Sequence, residues 1–315
     1  MVIGAFLLVP VSYTAGATVN CVLSRELPEA TKKTVMVEQL ESEGYVVPKG
    51  SVCAIAQLSG PIEDGDADQL ETLVIANLPF LSQVELNSRG GSVAEAMKIG
   101  RLARRYYLKT NAPSYWIPGD PEPGPHWHRH LQGAMSVFAP GAVCASSCFF
   151  AWLGGVTRSG DIIGIHRPFP PINDMQRMSP DQAGRLYRNV SDTIRTYLAE
   201  VEASAHWLDD MMKISSDDIL MLSQEQLSEL TDSGPPLDEG DVPSIVQWKA
   251  ARCGSLTATE RQEWRDMFMP GRPNASVQQE LYREKLQRHA ASISTCGFQA
   301  LMLARWRVHT LGGRN

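Results

Sequence analysis

"ELNSRGGSVAEAMKIGRLAR", Glu85 to Arg104, decides the fold. Its first residues close a strand-like stretch, "SQVELNS"; two glycines follow at once; and Ser92 stands three residues ahead of Glu95, the spacing of a capping box at a helix start. A strand running through a glycine turn into a helix brings backbone N–H groups and a positive dipole end together. Gly90 and Gly91 let that backbone approach a ligand closely, because no Cβ intervenes. Upstream, "CAIAQLSG" (Cys53 to Gly60) reads as a strand stopped by Gly60-Pro61, and "DADQLETLVIANL" (Asp66 to Leu78) has helical periodicity. The order is β-α-β, so the expected class is α/β.

Downstream, no charged side chain occurs from Leu131 to Thr157. "AMSVFAPGAVCA" reads as a strand interrupted at Pro140-Gly141, "SSCFFAWLGG" as a short buried helix ended by Gly154-Gly155, and "DIIGIH" as a further strand. Pro-rich "RPFPPIND" leads into a long amphipathic helical stretch, Asp181 to Met212, and "SQEQLSELTDSG" reads as another helix. The acidic, proline-bearing "SGPPLDEGDVP" marks a boundary before a helical C-terminal region, where Ser276 and Gln279 form a second capping box. The expected organisation is a possible signal peptide over 1–20, an N-terminal segment over 21–52, a core over 53–235, and a helical region over 236–315.

Between 112 and 130 the core is interrupted by five prolines, Pro113, Pro118, Pro121, Pro123 and Pro125, which neither a helix nor a sheet interior admits. This is a surface insertion or a lid. His126, His128 and His130 alternate within it, but no acidic or Cys partner stands at a diagnostic spacing, so they read as loop histidines and no metal is expected.

The two serines of "CASSC" are the unusual feature of the uncharged run. If Ser146 begins the helix, a hydroxyl there is explained by an N-cap alone. The same N–H groups, however, hold a developing oxyanion when the serine is a nucleophile, which then needs a base and a group to orient it. His166, ending the strand after the helix in "IGIHRPF", is the base that a turn back would bring to the helix start. With the Gly90-Gly91 turn this makes one hydroxyl, one imidazole and two amides, the components of an acyl-transfer site.

"LSGPIEDGDADQLETLV", "ELNSRGGSVAEAMKIGRLAR", "CASSCFFAWLGGVTR", "IGIHRP" and "LSQEQLSEL" occur in an order that resembles the Clp protease proteolytic-subunit family, most of all its periplasmic relatives. The resemblance spans Ala54 to Thr231. It implies a crotonase-like fold of repeated ββα units and serine-dependent peptide-bond hydrolysis by a Ser-His-Asp triad, without a cofactor. Carried across, the nucleophile falls on Ser146, with Ser147 the weaker alternative. The oxyanion donors fall on the N–H groups of Gly90 and Ser147, the base on His166, and the third member on Asp218, with Asp217 next. "SSDD" also fits the acidic start of a helix. Three departures matter: Arg89 in place of a common proline, the Pro-rich insertion, and a shortened stretch from Gly155 to His166, where a small misplacement of the imidazole is costly. A peptide or protein substrate is implied, together with a possible homo-oligomer. An ATPase partner is not assumed, since an exported protein has no ATP to use. Two other functions are open: a crotonase-like enzyme acting on acyl-CoA thioesters, and a non-catalytic interaction module.

Composition narrows the rest. A chain of 315 residues with 43% hydrophobic and 20% charged residues has the makings of a folded domain, and a formal net charge of -6 argues against a nucleic-acid surface. The basic runs at Arg101 to Arg105 and Arg305 to Arg307 read as solvated helix faces. An apolar stretch from Val2 to Val11 followed by Ala15-Gly16-Ala17 fits an export signal, though no Lys or Arg precedes it; a buried strand or a mis-set start is the alternative. No later stretch offers the ~20 apolar residues of a membrane span. The expected location is periplasmic or secreted, with cytoplasmic the alternative. Six cysteines suit disulfides after export and buried thiols otherwise. Cys21 with Cys53 and Cys253 with Cys296 would close the regions flanking the middle of the chain. Cys144 and Cys148 would brace the strand-to-helix corner if bonded, but their apolar surroundings favour free packing thiols.

Overall fold

The computed structural model describes residues 16–26, 35–42, 50–114, 141–168, 178–215, 218–232, 253–254, 257–260 and 277–312, with positions 44, 46 and 263 besides. The fold is mixed α/β. Strands β1 (Thr18–Glu26), β2 (Ser51–Ser59), β3 (Gln83–Asn87) and β4 (Lys109–Asn111) are interleaved with helices α1 (Val35–Ser42), α2 (Asp66–Ala76) and α3 (Val93–Arg105). Then come β5 (Cys144–Ala145), α4 (Cys148–Leu153), β6 (Thr157–Ser159) and β7 (Ile163–Ile165), followed by α5 (Pro180–Glu200), α6 (His206–Lys213), β8 (Leu220–Met221), α7 (Gln224–Asp232) and α8 (Val277–Gly312).

The larger sheet has the order β1-β2-β3-β4-β6, with β1 antiparallel to β2 and all other pairs parallel. The smaller has the order β5-β7-β8, parallel then antiparallel. They are joined where Ser88, just past β3, pairs with Cys144: the Ser88 N–H donates to the Val143 carbonyl at 2.8 Å, and the Ala145 N–H donates to the Ser88 carbonyl at 2.9 Å. This stitch sets the glycine turn after β3 beside the end of β5.

Helix α4 lies at the centre of the core, and its side chains from Cys148 to Leu153 are all buried. Its C-terminal Gly154 presses on Gly100 of α3 so closely that a Cβ at Gly154 would collide with the Gly100 Cα, carbonyl carbon and oxygen. A Cβ at Gly100 would likewise meet the Tyr197 hydroxyl and the Phe150 carbonyl oxygen. The two helices therefore cross with no side chain between them, which only glycine permits. Tyr197 of α5 fills the space beside the crossing and donates to the Phe150 carbonyl at 2.6 Å; burial pushes its phenol well above the ordinary range.

Two buried arginines fasten outlying elements through main-chain carbonyls. Arg158 donates to the carbonyls of Val201 and Leu230, both at 3.0 Å, and burial pulls its guanidinium down to about 10. Arg305 of α8 donates to the carbonyls of Tyr106 and Tyr107 at the end of α3, also at 3.0 Å, and is likewise pulled down to about 10 by burial. Arg305, expected on a solvated face, is thus a buried clasp.

The expected elements of the core are present, with three differences. Ser92 does cap α3, accepting from the Glu95 N–H at 3.3 Å, but Glu95 does not return to Ser92. Its carboxylate accepts from the N–H groups of Gly65 and Ala67 at 3.0 and 2.9 Å, satisfying the start of α2. Burial alone would raise this carboxyl, but Lys98 and the two amides outweigh it and hold it below the usual value. Secondly, the expected helix over Asp181 to Met212 is two helices, α5 and α6. The break falls at Val201 to Ala205, where Glu202 takes a left-handed φ of 56° and pairs with Arg104 at 2.8 Å. Thirdly, Cys144 and Cys148 are bonded to each other and are not free. The pairs Cys21–Cys53 and Cys253–Cys296 also form. The histidines of the Pro-rich insertion, the interrupted strand over 134–140, Ser276 and the apolar N-terminus lie outside the described residues. Among the described residues no helix is long and apolar enough to cross a membrane.

The α3–α4 crossing makes a clear stability prediction. Gly154→Ala should cost roughly 1–3 kcal/mol by forcing the helices apart, whereas Gly184→Ala on α5, where a Cβ meets only the end of Arg188 at 3.7 Å, should gain about 0.5–1 kcal/mol from helix propensity. Urea melts of the two variants against the parent check both signs.

Candidate active site

Ser146 sits between β5 and α4 in a tight turn, with a left-handed φ of 60°. For a non-glycine residue this conformation costs on the order of 1–3 kcal/mol and persists only where the surroundings enforce it. Here the Ser146 N–H donates to the Gly164 carbonyl of β7 at 2.9 Å, and the Ser146 carbonyl accepts from the Phe149 N–H at 3.1 Å. The expectation that Ser146 begins the helix is corrected: α4 starts at Cys148, Ser147 holds the capping position, and the Ser147 side chain makes no capping bond. The Ser146 hydroxyl is engaged elsewhere.

It reaches His166. The Ser146 Oγ lies 2.5 Å from His166 Nε2, on the residue that directly follows β7. Parallel pairing of β5 with β7, Ala145 opposite Gly164, is what brings a serine at the end of one strand next to a histidine at the end of the other. The stretch from Gly155 to His166, short as it is, does place the imidazole. The other ring nitrogen, Nδ1, is 2.7 Å from the Arg167 carbonyl oxygen. A carbonyl only accepts, so Nδ1 carries the proton and Nε2 presents a lone pair to the serine O–H. This is the tautomer that a general base requires.

Gly90 also borders the hydroxyl. Its φ is 103°, and a Cβ added to it would stand 2.5 Å from the Ser146 Cβ and 2.7 Å from its Oγ. Glycine at this point is therefore required twice, by backbone conformation and by the approach to the serine. The Gly90 N–H donates to the Ser88 Oγ at 3.0 Å. At the head of α4, Ser147 is 1% exposed, and no hydrogen bond to its N–H or its Oγ is found among the described residues.

Asp218 stands just before β8, which pairs antiparallel to β7 with Ile165 opposite Leu220. Its backbone N–H donates to the Ser215 carbonyl at 3.2 Å, its side chain is exposed, and among the described residues that side chain makes no hydrogen bond. Asp217 lies outside the described residues. The structure thus brings together Ser146, His166, Gly90 and Ser147, and adds two groups that sequence reasoning missed, the Arg167 carbonyl and the Ser88 hydroxyl. The first leaves no side-chain signal. The second was visible only as a serine two residues ahead of Gly90. A separate hollow of about 290 Å³, lined by Arg101, Arg104, Arg105, Tyr107, Glu200 and Val201, includes none of these groups. The ion pairs Arg101–Glu200 at 2.6 Å and Arg104–Glu202 at 2.8 Å tie α3 to the end of α5 beside it.

No family model matches the sequence, and no curated protein matches it. The chain is similar in structure to a stomatin-specific protease and to ClpP1. A mutant of the 1510-N membrane-bound stomatin-specific protease is 16% identical with a TM-score of 0.37, the match covering 64% of this chain and 84% of that one. ClpP1 from Listeria monocytogenes is 11% identical with a TM-score of 0.36, covering 62% and 92%, and a mutant of the same protein is 13% identical with a TM-score of 0.34, covering 56% and 87%.

Gly90→Ala tests the packing of the site directly. A methyl group 2.5 Å from the Ser146 Cβ, added where φ is positive, should displace the serine and lower stability by roughly 1–3 kcal/mol. Calorimetry should show the lower Tm.

Proposed function

We propose that the protein is a serine hydrolase that cleaves peptide bonds, with Ser146 as nucleophile and His166 as general base. The observation that carries this is the 2.5 Å contact between Ser146 Oγ and His166 Nε2, with Nδ1 already held by a carbonyl. Attack of the Ser146 oxygen on a peptide carbonyl passes the hydroxyl proton to Nε2, and the imidazolium returns it to the leaving amine. Water, activated by the same nitrogen, then releases the acyl group. The Ser147 N–H, at the positive end of α4, and the Gly90 N–H across the turn are the donors for the oxyanion. In this scheme the Arg167 carbonyl sets the tautomer, the task that the family resemblance assigns to Asp218, which stands just before β8. The substrate is a peptide or protein segment, the assembly a homo-oligomer and the location an oxidising compartment reached by export, a placement that three disulfides support.

One observation favours a second reading, a non-catalytic interaction module: the Gly90 N–H is already bonded to Ser88 Oγ. An acyl-CoA enzyme has no comparable support, since such chemistry does not call for the Ser–His contact.

Labelling with a fluorophosphonate, followed by peptide mapping, separates these. The label should fall on Ser146, vanish in Ser146→Ala and persist in Ser147→Ala. His166→Ala should slow labelling about 10²–10⁴-fold, whereas Asp218→Asn should change it by less than about threefold, because a neutral carbonyl already fixes the tautomer. Absence of label from the folded parent protein would favour the interaction module.

A further inference from the structure

We propose that the Cys144–Cys148 disulfide is the positioning element of the nucleophile, so that the site is completed by oxidation. The inference rests on the hydrolase reading of Ser146 and adds a condition to it. The two cysteines are four positions apart with Cα atoms separated by 5.3 Å, and Ser146 is the middle residue of the loop they close. The bond joins the first residue of β5 to the first residue of α4, across the turn whose left-handed conformation has to be enforced.

The elements on either side are poorly suited to enforcing it alone. Strand β5 has 2 residues and helix α4 has 6, and the latter starts without a side-chain cap. Non-covalent contacts hold Ser146 to β7 and to the first turn of α4, and among the described residues the disulfide is the covalent tie between the two flanks of the turn. In a loop this short, the cross-link also removes most of the alternative turn conformations that the chain would otherwise sample. The other two bonds are placed differently: Cys21–Cys53 links β1 to β2, and Cys253–Cys296 lies in the C-terminal region.

Both Cys144 and Cys148 are wholly buried, at 0% exposure. The bond forms while the chain folds: two thiols give up two protons and two electrons to a disulfide-bearing thiol oxidoreductase, whose own disulfide becomes two thiols. Once the core has closed, dissolved reductants do not reach it. Oxidation therefore acts once, as a licence tied to the compartment, and not as a reversible switch.

The test uses the full chain with the double replacement Cys144→Ala/Cys148→Ala, and Cys253→Ala/Cys296→Ala as control. Fluorophosphonate labelling of Ser146 is measured as a function of reagent concentration, which separates the limiting rate from reagent affinity. The expected result is a limiting rate about 10–100-fold lower in the first pair, from a displaced hydroxyl, with reagent affinity and the circular dichroism spectrum unchanged. The control pair should keep the parent limiting rate. Cys144→Val/Cys148→Ala restores buried volume and should show the same loss, which covers failure of the first pair to fold. A limiting rate equal to the parent's in either 144/148 pair overturns the proposal, as does an equal loss in the control. If the parent itself takes no label, the hydrolase reading fails and this inference with it, an outcome seen in the parent alone.

Discussion

The site depends on the crossing of α3 and α4, where Gly154 rests on the Gly100 backbone. Helix α4 is short, uncharged and wholly buried, so its position is set by what it touches and not by its own hydrogen bonds. Glycine at both contact points lets the helices approach more closely than any side chain allows, and Tyr197 locks the crossing by bonding to the Phe150 carbonyl. Because Ser146 lies two residues ahead of α4, this packing contact also positions the hydroxyl. At the other side, the stitch between Ser88 and the end of β5 brings in the glycine turn, and the pairing of β5 with β7 brings in His166. Three independent pieces of backbone geometry thus converge on one oxygen.

The electrostatic character of the site follows from what holds the imidazole. A carbonyl selects the same tautomer as a carboxylate would, since both only accept from Nδ1. It carries no full charge, however, and charge-assisted hydrogen bonds are roughly twice as strong as neutral ones. Under the hydrolase reading, the Arg167 carbonyl therefore contributes the tautomer, while charge stabilisation of the imidazolium is left to other groups around the ring.

Much of this was legible in the residues, for reasons that also explain what was not. The β-α-β order from Cys53 to Arg105 is written in periodicity and glycine punctuation, and Ser146, His166 and Gly90 announce themselves as polar or special residues at the ends of apolar elements. A main-chain carbonyl leaves no such mark, so Arg167 was invisible. Glu95 looked like the partner of Ser92 because a linear spacing cannot reveal that the start of α2 lies nearer. The break between α5 and α6 was hidden because both helices share one amphipathic pattern, and the left-handed turn at Glu202 uses a residue with no turn preference of its own. An uncharged run reads alike whether Cys144 and Cys148 are thiols or a cystine, so composition pointed to thiols where the folded geometry has a bond. The basic run at Arg305 misled for a related reason: burial of a guanidinium needs carbonyl acceptors, here those at the end of α3, which no local pattern displays.

Under the hydrolase reading, the bond between the Gly90 N–H and Ser88 Oγ, which taken alone favours an interaction module, has a use of its own. Ser88 is 2% exposed, so an amide aimed into this region without a partner would be costly in the resting protein. The hydroxyl accepts from that amide at 3.0 Å and lies 3.4 Å from the Gly90 carbonyl, a weak second contact that leaves it room to turn. An anionic oxygen competes well against a neutral hydroxyl for the same N–H, because the charge strengthens the bond. A neutral substrate carbonyl has no such advantage. In that reading the exchange favours the tetrahedral intermediate over the bound substrate, and preference for the transition state over the ground state is what accelerates a reaction. In the same reading Ser88 keeps the donor aimed and satisfied until charge develops on the substrate oxygen, and among the described residues the Ser147 N–H at the head of α4 meets no other acceptor.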